Sequence, residues 1–217
     1  MKKKIFMRHR PVMVFNGQTP FQTNDSFFAP TASVIGNVTA WDQVSIWYKA
    51  VVRADSPHSS ITIGFNSSIG DGTAVLTELP SVTELPISGF PPDTHIGHYV
   101  VVGAGCVLKS CRIDDLVLIG DKCTILPGAL VENHCILEPG TVVEPNQRIP
   151  SGQKWGGNPA KYIADLTPNE KESIQSKSVY IYESTKDHIA EFLPYGNTYV
   201  HLEELERQHP EMKPTSG

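Results

Sequence analysis

Two of the eight histidines, His95 and His98, form an H-x-x-H pair, the pattern to test first for a cryptic metal site. His58 and His134 stand singly in the middle of the chain, and His9, His188, His201 and His209 lie in its terminal segments. A lone or paired surface imidazole is more often solvated than ligated, so these residues are read as holding no metal. Four cysteines, Cys106, Cys111, Cys123 and Cys135, lack the C-x-x-C spacing of a zinc finger and are too few for a disulfide scaffold. Arg53 and Asp55, taken alone, are one solvated charge each. No catalytic residue, cofactor site or metal site is assigned from these residue types.

Composition narrows the classes further. The 217 residues carry 18 Lys and Arg against 23 Asp and Glu, a net charge of -5 that argues against a nucleic-acid partner. A mean hydropathy of -0.19 and the lack of any apolar run of about 18 residues exclude a membrane-spanning helix. Seventeen Gly and seventeen Pro mean many turns and few long helices. Charge is uneven: residues 1–24 hold five cations and no acid, and the remaining residues hold 13 cations against 23 acids. A basic, acid-free start is expected of a targeting tract or of an arm that docks on something anionic.

The elements that position any site are set by a period of six. Aliphatic or Trp leads recur at Ile35, Trp41 and Trp47, at Ile63, Ile69 and Val75, at Ile96, Val102 and Leu108, and from Ile113 through Ile119, Ile125, Val131 and Leu137 to Val143. Neither a helix nor an alternating strand has this period; a hexapeptide β-helix does. The fourth position after each lead is mostly small, among others Ser67, Thr73, Cys106, Cys123, Ala129, Cys135 and Thr141, as a corner pointing into a narrow prism demands. The cysteines thus read as packing residues. The expected fold is an all-β solenoid, a left-handed parallel β-helix of about five coils plus a partial one from Ala29 to Val34, followed by a C-terminal α-helix.

Breaks in the period divide the chain. Residues 1–24 form the basic arm and 25–148 the β-helix. Residues 77–94, with Pro80, Pro86, Pro91 and Pro92, form a loop thrown out from the prism, because proline cannot donate to a ladder. A turn-rich closing segment covers 149–166. Thr167-Pro168-Asn169-Glu170 is a capping box that starts a helix within 167–206, expected to end before Pro194 and to lie along the prism's open end. A polar tail follows at 207–217.

Val51-Val52-Arg53-Ala54-Asp55, the hexads running into Ile149-Pro150-Ser151-Gly152, and Trp155-Gly156-Gly157-Asn158-Pro159-Ala160-Lys161 together resemble the gamma-class carbonic anhydrases. Glu191-Phe192-Leu193-Pro194-Tyr195 is further similar to the carbonic-anhydrase-like subunits of mitochondrial respiratory complex I. The resemblance implies a trimer of β-helices and a three-histidine zinc site between subunits, whose open fourth position lowers the pKa of bound water to about 7. It places Leu76 (or Thr77), Ala104 and Lys109 at the ligand positions and Gly70 where the family has Gln. Leu and Ala have no lone pair, and Lys109 brings a cation to the place of a dication. The resemblance also implies that Arg53 and Asp55 lie at the subunit interface.

These implications define the expected function: a non-catalytic, structural gamma-carbonic-anhydrase-like subunit of complex I. It would sit peripherally on the matrix side of the mitochondrial inner membrane, in a heterotrimer with two other gamma-carbonic-anhydrase-type subunits. Membrane-arm subunits of complex I are further partners, and the basic arm offers a contact to the membrane surface. One alternative is a heterotrimer that keeps carbonic anhydrase activity at an interface between its other members. Another is a coenzyme A-dependent hexapeptide acyltransferase, against which the loop at 77–94 holds no histidine.

Overall fold

The computed structural model describes residues 11–54, 59–77 and 93–196, the last seven of these by their backbone alone. The extreme N-terminus, Asp55, His58, most of the 77–94 loop and the tail lie outside the described residues. The chain divides into two compact units, Met1–Tyr182 and Glu183–Gly217.

The first unit is a left-handed parallel β-helix whose strands form three sheets, the faces of a triangular prism. The first face stacks Val12–Met13, Ser33–Gly36, Val51–Ala54, Ala74–Leu76, Val107–Lys109, Thr124–Ile125 and Val142–Val143. The second also has seven strands, from Phe21–Gln22 to Arg148–Ile149. The third has eight, from Phe27–Phe28 to the antiparallel hairpin of Gln153–Gly156 and Lys161–Asp165.

Each short strand turns one aliphatic residue inward. On the first face Val34, Val52, Val75, Leu108, Ile125 and Val143 pair coil to coil and are wholly buried. On the second face Ile63, Ile96, Ile113, Val131 and Ile149 do the same. Such columns are continuous apolar cores that no single coil could bury alone. From Ile113 onward, three residues after each inward one, the backbone turns a corner at left-handed φ. From Leu116 this recurs at Lys122, Gly128, His134, Gly140, Asn146 and Gly152, with φ between 55° and 77°.

The small corner residues have a second role. Ser67 Oγ and Thr73 Oγ1 donate to the Gly97 and Gly103 carbonyls on the next coil at 2.7 Å. The thiols of Cys106, Cys123 and Cys135 repeat this bond to the Gly120, Glu138 and Pro150 carbonyls at 3.1 Å. A corner thiol thus replaces a corner hydroxyl, and all four cysteines are buried and unbridged.

Three features differ from the sequence reading. Ladder pairing begins at Val12–Met13, inside the segment read as an arm, and reaches Gln153–Gly156, so seven coils form where about five were expected. In the first repeats the lead is displaced by one residue: the inward residues are Val34, Ala40 and Ile46, while Trp41 is 51% exposed. Size misled the assignment there, because the prism interior at this level takes Ala40 and expels the larger indole. A one-residue slip reverses which side chains face the core.

The C-terminal helix, Pro168–Gly196, is the third difference. Its capping box forms as expected, with Glu170 Oε2 accepting the Thr167 N–H at 2.8 Å and Thr167 Oγ1 accepting the Glu170 N–H at 3.4 Å. It continues past Pro194, where a proline near the end of a helix removes only one ladder bond. Instead of lying at the open end it meets the third coil: Ser178 Oγ is 2.6 Å from Asn66 Oδ1 and also reaches the Asn66 carbonyl. The outward third-face residues Ser45, Ser68 and Val101 are buried, as are Ile174 and Ser178 on the helix.

Candidate functional site

The edge between the first and second faces brings Arg53, Leu76 and Lys109 into one row. Leu76 is the Cα partner of Arg53 on one side and of Lys109 on the other, in three successive coils. Leu76 and Lys109 are half-buried and Arg53 is exposed. The Leu76 carbonyl accepts from Ser110 N at 3.1 Å and Thr94 Oγ1 at 2.9 Å, which fixes the strand end. Thr77, the other residue assigned to the first ligand position, is buried, and its Oγ1 accepts a 2.9 Å hydrogen bond from Ser59 Oγ. Asp55, paired with Arg53 in the sequence reading, lies outside the described residues.

Ala104 lies across the first face from this row. It sits in the turn after Val101–Val102, before the strand Val107–Lys109 crosses to the other edge. Its N–H donates to Asp121 Oδ1 at 2.8 Å. One chain therefore joins the first and third ligand positions and holds the second at the opposite edge. All three could meet only where the edges of two chains come together.

The donor set does not suit zinc. Three neutral nitrogens are required, and these positions offer two alkyl side chains and an ammonium. Gly70 adds a steric obstacle, since a Cβ there would stand 2.6 Å from the Gly103 carbonyl carbon on the next coil. A glutamine could not enter without moving the backbone. Among the described residues no three His, Cys, Asp or Glu side chains converge as a metal site.

Among the described residues the histidines do not converge on a metal site. His98 Nδ1 accepts the Phe65 N–H at 2.8 Å and is engaged at the corner. His95 lies three residues earlier on the second face, between Thr62 and Arg112 on neighbouring coils. Burial, and then the Arg112 charge, push its pKa below the usual 6.5. Burial raises Cys111 to about 12 and also raises Cys135, as inert packing thiols require, whereas the hydrogen bond with Cys106 lowers Cys123.

A cleft of about 610 Å³ opens on the second face around His95 and Arg112. Its residues occupy outward hexad positions, which the six-residue count identifies as variable without saying that they face one space. The sequence reading therefore missed it.

Comparison with known proteins places the chain. It is 40% identical over 182 residues to "Gamma carbonic anhydrase 2, mitochondrial" of Arabidopsis thaliana, covering 84% of this chain and 60% of that protein. It is also 40% identical over 183 residues to "Gamma carbonic anhydrase-like 2, mitochondrial" of the same plant, covering 84% of this chain and 69% of the relative. Among solved structures, a hexapeptide transferase family protein from Anaplasma phagocytophilum superposes with a TM-score of 0.72 at 26% identity, over 81% of this chain and 96% of that one. No family model matches the chain. The chain belongs to the gamma carbonic anhydrase family. It spans about 60% of the length of the first of these relatives.

Proposed function

We propose that this chain is a non-catalytic, structural gamma-carbonic-anhydrase-like subunit of mitochondrial complex I, held in a heterotrimer on the matrix side of the inner membrane. The observation that carries the reading is the row of Leu76 and Lys109 at two ligand positions, with Ala104 at the third. A β-helix kept whole while its metal-binding side chains are replaced serves as a scaffold. Relatives of both kinds, anhydrase and anhydrase-like, are named mitochondrial, which supports the compartment.

The prism supports assembly through its first face. The outward row of Ser33, Val51, Ala74, Val107, Thr124 and Val142 is mostly apolar, with Val107 39% exposed, and beside it Ile35 and Leu76 alternate with Arg53 and Lys109. The second face instead presents Thr62, His95, Arg112, Leu130 and Arg148, and on the third face Ser45, Ser68 and Val101 are already buried. Partner subunits of the same fold are the natural cover for a flat apolar sheet face. Among the described residues no helix is long and apolar enough to cross a membrane, which leaves peripheral attachment through partners and the basic N-terminal residues.

The test is purification of the native assembly through a tag on this chain, with subunit composition and metal content measured together. Co-purification with two further gamma-carbonic-anhydrase-type chains and complex I is expected. A lone or homotrimeric protein with stoichiometric zinc and carbon dioxide hydration would overturn the reading.

A further inference from the structure

The second-face cleft is distinct from the edge row and has its own order. Its floor is the in-register series Thr62, His95, Arg112 and Leu130, each the Cα partner of the next on successive coils. At about 610 Å³ it falls in the range of small-molecule sites. Its walls hold two opposite charges that the fold has already oriented.

Asp93 stands on the side where the strands begin. Its Oδ1 accepts the Ser60 N–H at 2.6 Å and the Ser60 hydroxyl at 3.1 Å, and its second oxygen has no partner among the described residues. Arg112 is held from the opposite side, its Nε on Asp114 Oδ1 at 2.9 Å. That contact uses the inner nitrogen, and the two terminal nitrogens of the guanidinium have no partner among the described residues. His95 lies exposed in the floor beside Arg112, and partial desolvation and that cation lower its pKa. It can therefore donate or accept without adding charge. The remaining carboxylate of the cleft, Glu132, is already spent on Arg148 and the Ser151 N–H.

From this geometry we propose that the cleft is a binding site for a small zwitterion of the amino acid class, its ammonium on Asp93 and its carboxylate on the terminal nitrogens of Arg112. Neither charge alone selects this ligand. A simple anion would meet the Asp93 and Asp114 carboxylates, and a simple amine would leave Arg112 unused. A carboxylate accepts the paired N–H groups of a guanidinium in a planar fork, which an isolated ammonium cannot replace. The site is independent of the edge row and of the proposed place in complex I, because it lies on the polar face and not on the apolar one.

The experiment uses ω-amino acids of increasing chain length as rulers: glycine, β-alanine, 4-aminobutyrate and 6-aminohexanoate. Butylamine and butyrate serve as single-charge controls. Binding to the full-length protein is read by calorimetry and by shifts of the His95 ring signals at neutral pH. One zwitterion is expected to bind at least about five-fold more tightly than either control, the worth of one partly exposed charge contact. Asp93→Asn and Arg112→Gln should each remove about that factor while leaving the thermal midpoint unchanged. Equal binding of zwitterion and controls, no His95 shift with any probe, or a zwitterion affinity unchanged from the parent protein in either variant would overturn the proposal. These outcomes are separate from subunit composition and metal content, so the two readings fail independently.

Discussion

Leu76 and Lys109 are direct Cα partners on neighbouring strands of the first face, at two of the positions proposed above to correspond to the family's histidines. The backbone still brings these positions together; the side chains now set an alkyl group beside an ammonium. On the proposed reading, metal chemistry is lost by a change of side chains on an intact frame.

The first expectation concerns that frame. Leu76→His, Ala104→His and Lys109→His together should give a trimeric protein that takes up zinc, read as stoichiometric metal after dialysis. Hydration of carbon dioxide should stay far below that of an active relative, since Gly70 leaves no room for a side chain that positions solvent. Full activity in the triple variant would show that Gly70 does not limit it.

The displaced lead in the early repeats sets up a pair of stability measurements. Ile46→Ala empties a wholly buried column position and should cost about 3 kcal/mol in denaturant unfolding. Trp41→Ala removes a much larger side chain that is half exposed, and should change stability by about 0.5 kcal/mol or less. The reverse order would restore the hexad register read from Ile35, Trp41 and Trp47.

Much of this molecule was legible in the sequence because the interior of a β-helix repeats. From Ile63 onward the leads coincide with the buried columns, and the corner cysteines lie where their small size placed them. The early coils were harder. Val12–Met13 and Phe21–Gln22 are strands of only two residues without a clean hexad, so their membership is set by pairing to Val34–Ile35 and Thr39–Ala40 and not by local pattern. The cleft was illegible for a related reason: Asp93, His95 and Arg112 meet only because coils stack, and residues 78–92 separate the first of them in sequence from the coil below.

Two glycines with positive φ should respond differently to alanine. Gly36 has φ 80°, and a Cβ there would stand 2.0 Å from the Ala54 carbonyl oxygen. Gly36→Ala should cost more than about 2 kcal/mol, combining left-handed strain with a backbone clash. Gly72 has φ 64° and open space around it, so Gly72→Ala should cost only about 1 kcal/mol. Chemical unfolding of the two variants compares them directly.

The His95 ring should titrate below 6.5 by NMR, because burial and Arg112 both disfavour its charged form. Arg112→Gln should move the midpoint upward. The sign for stability follows from proton uptake: as pH falls through 6.5 the unfolded chain binds a proton that the folded chain still refuses. Folding stability should therefore decline from pH 6.5 downward until the folded His95 also protonates. A His95→Gln variant should lack this part of the pH dependence.

Assembly can be probed one face at a time. Val107→Asp places a carboxylate in the apolar column of the first face and should lower the oligomeric state seen by light scattering, with little effect on the fold. Arg112→Asp on the second face should leave the oligomer unchanged. If both variants behave alike, the first face is not the one that partners cover.

The recurrence of left-handed corners at every sixth residue makes the chain's length count in discrete steps. Removing a single residue from a strand would turn each following side chain inside out until the next corner absorbed the error, whereas excising a whole turn of about 18 residues returns every corner to an equivalent one above it. Growth and shortening of such a protein are therefore quantised: extra residues either arrive as complete storeys or fall where the sixfold sequence pattern is interrupted, as it is between Thr77 and Thr94. A lineage of these prisms can change height by whole floors and change its chemistry by single outward residues, and neither kind of change has to wait for the other.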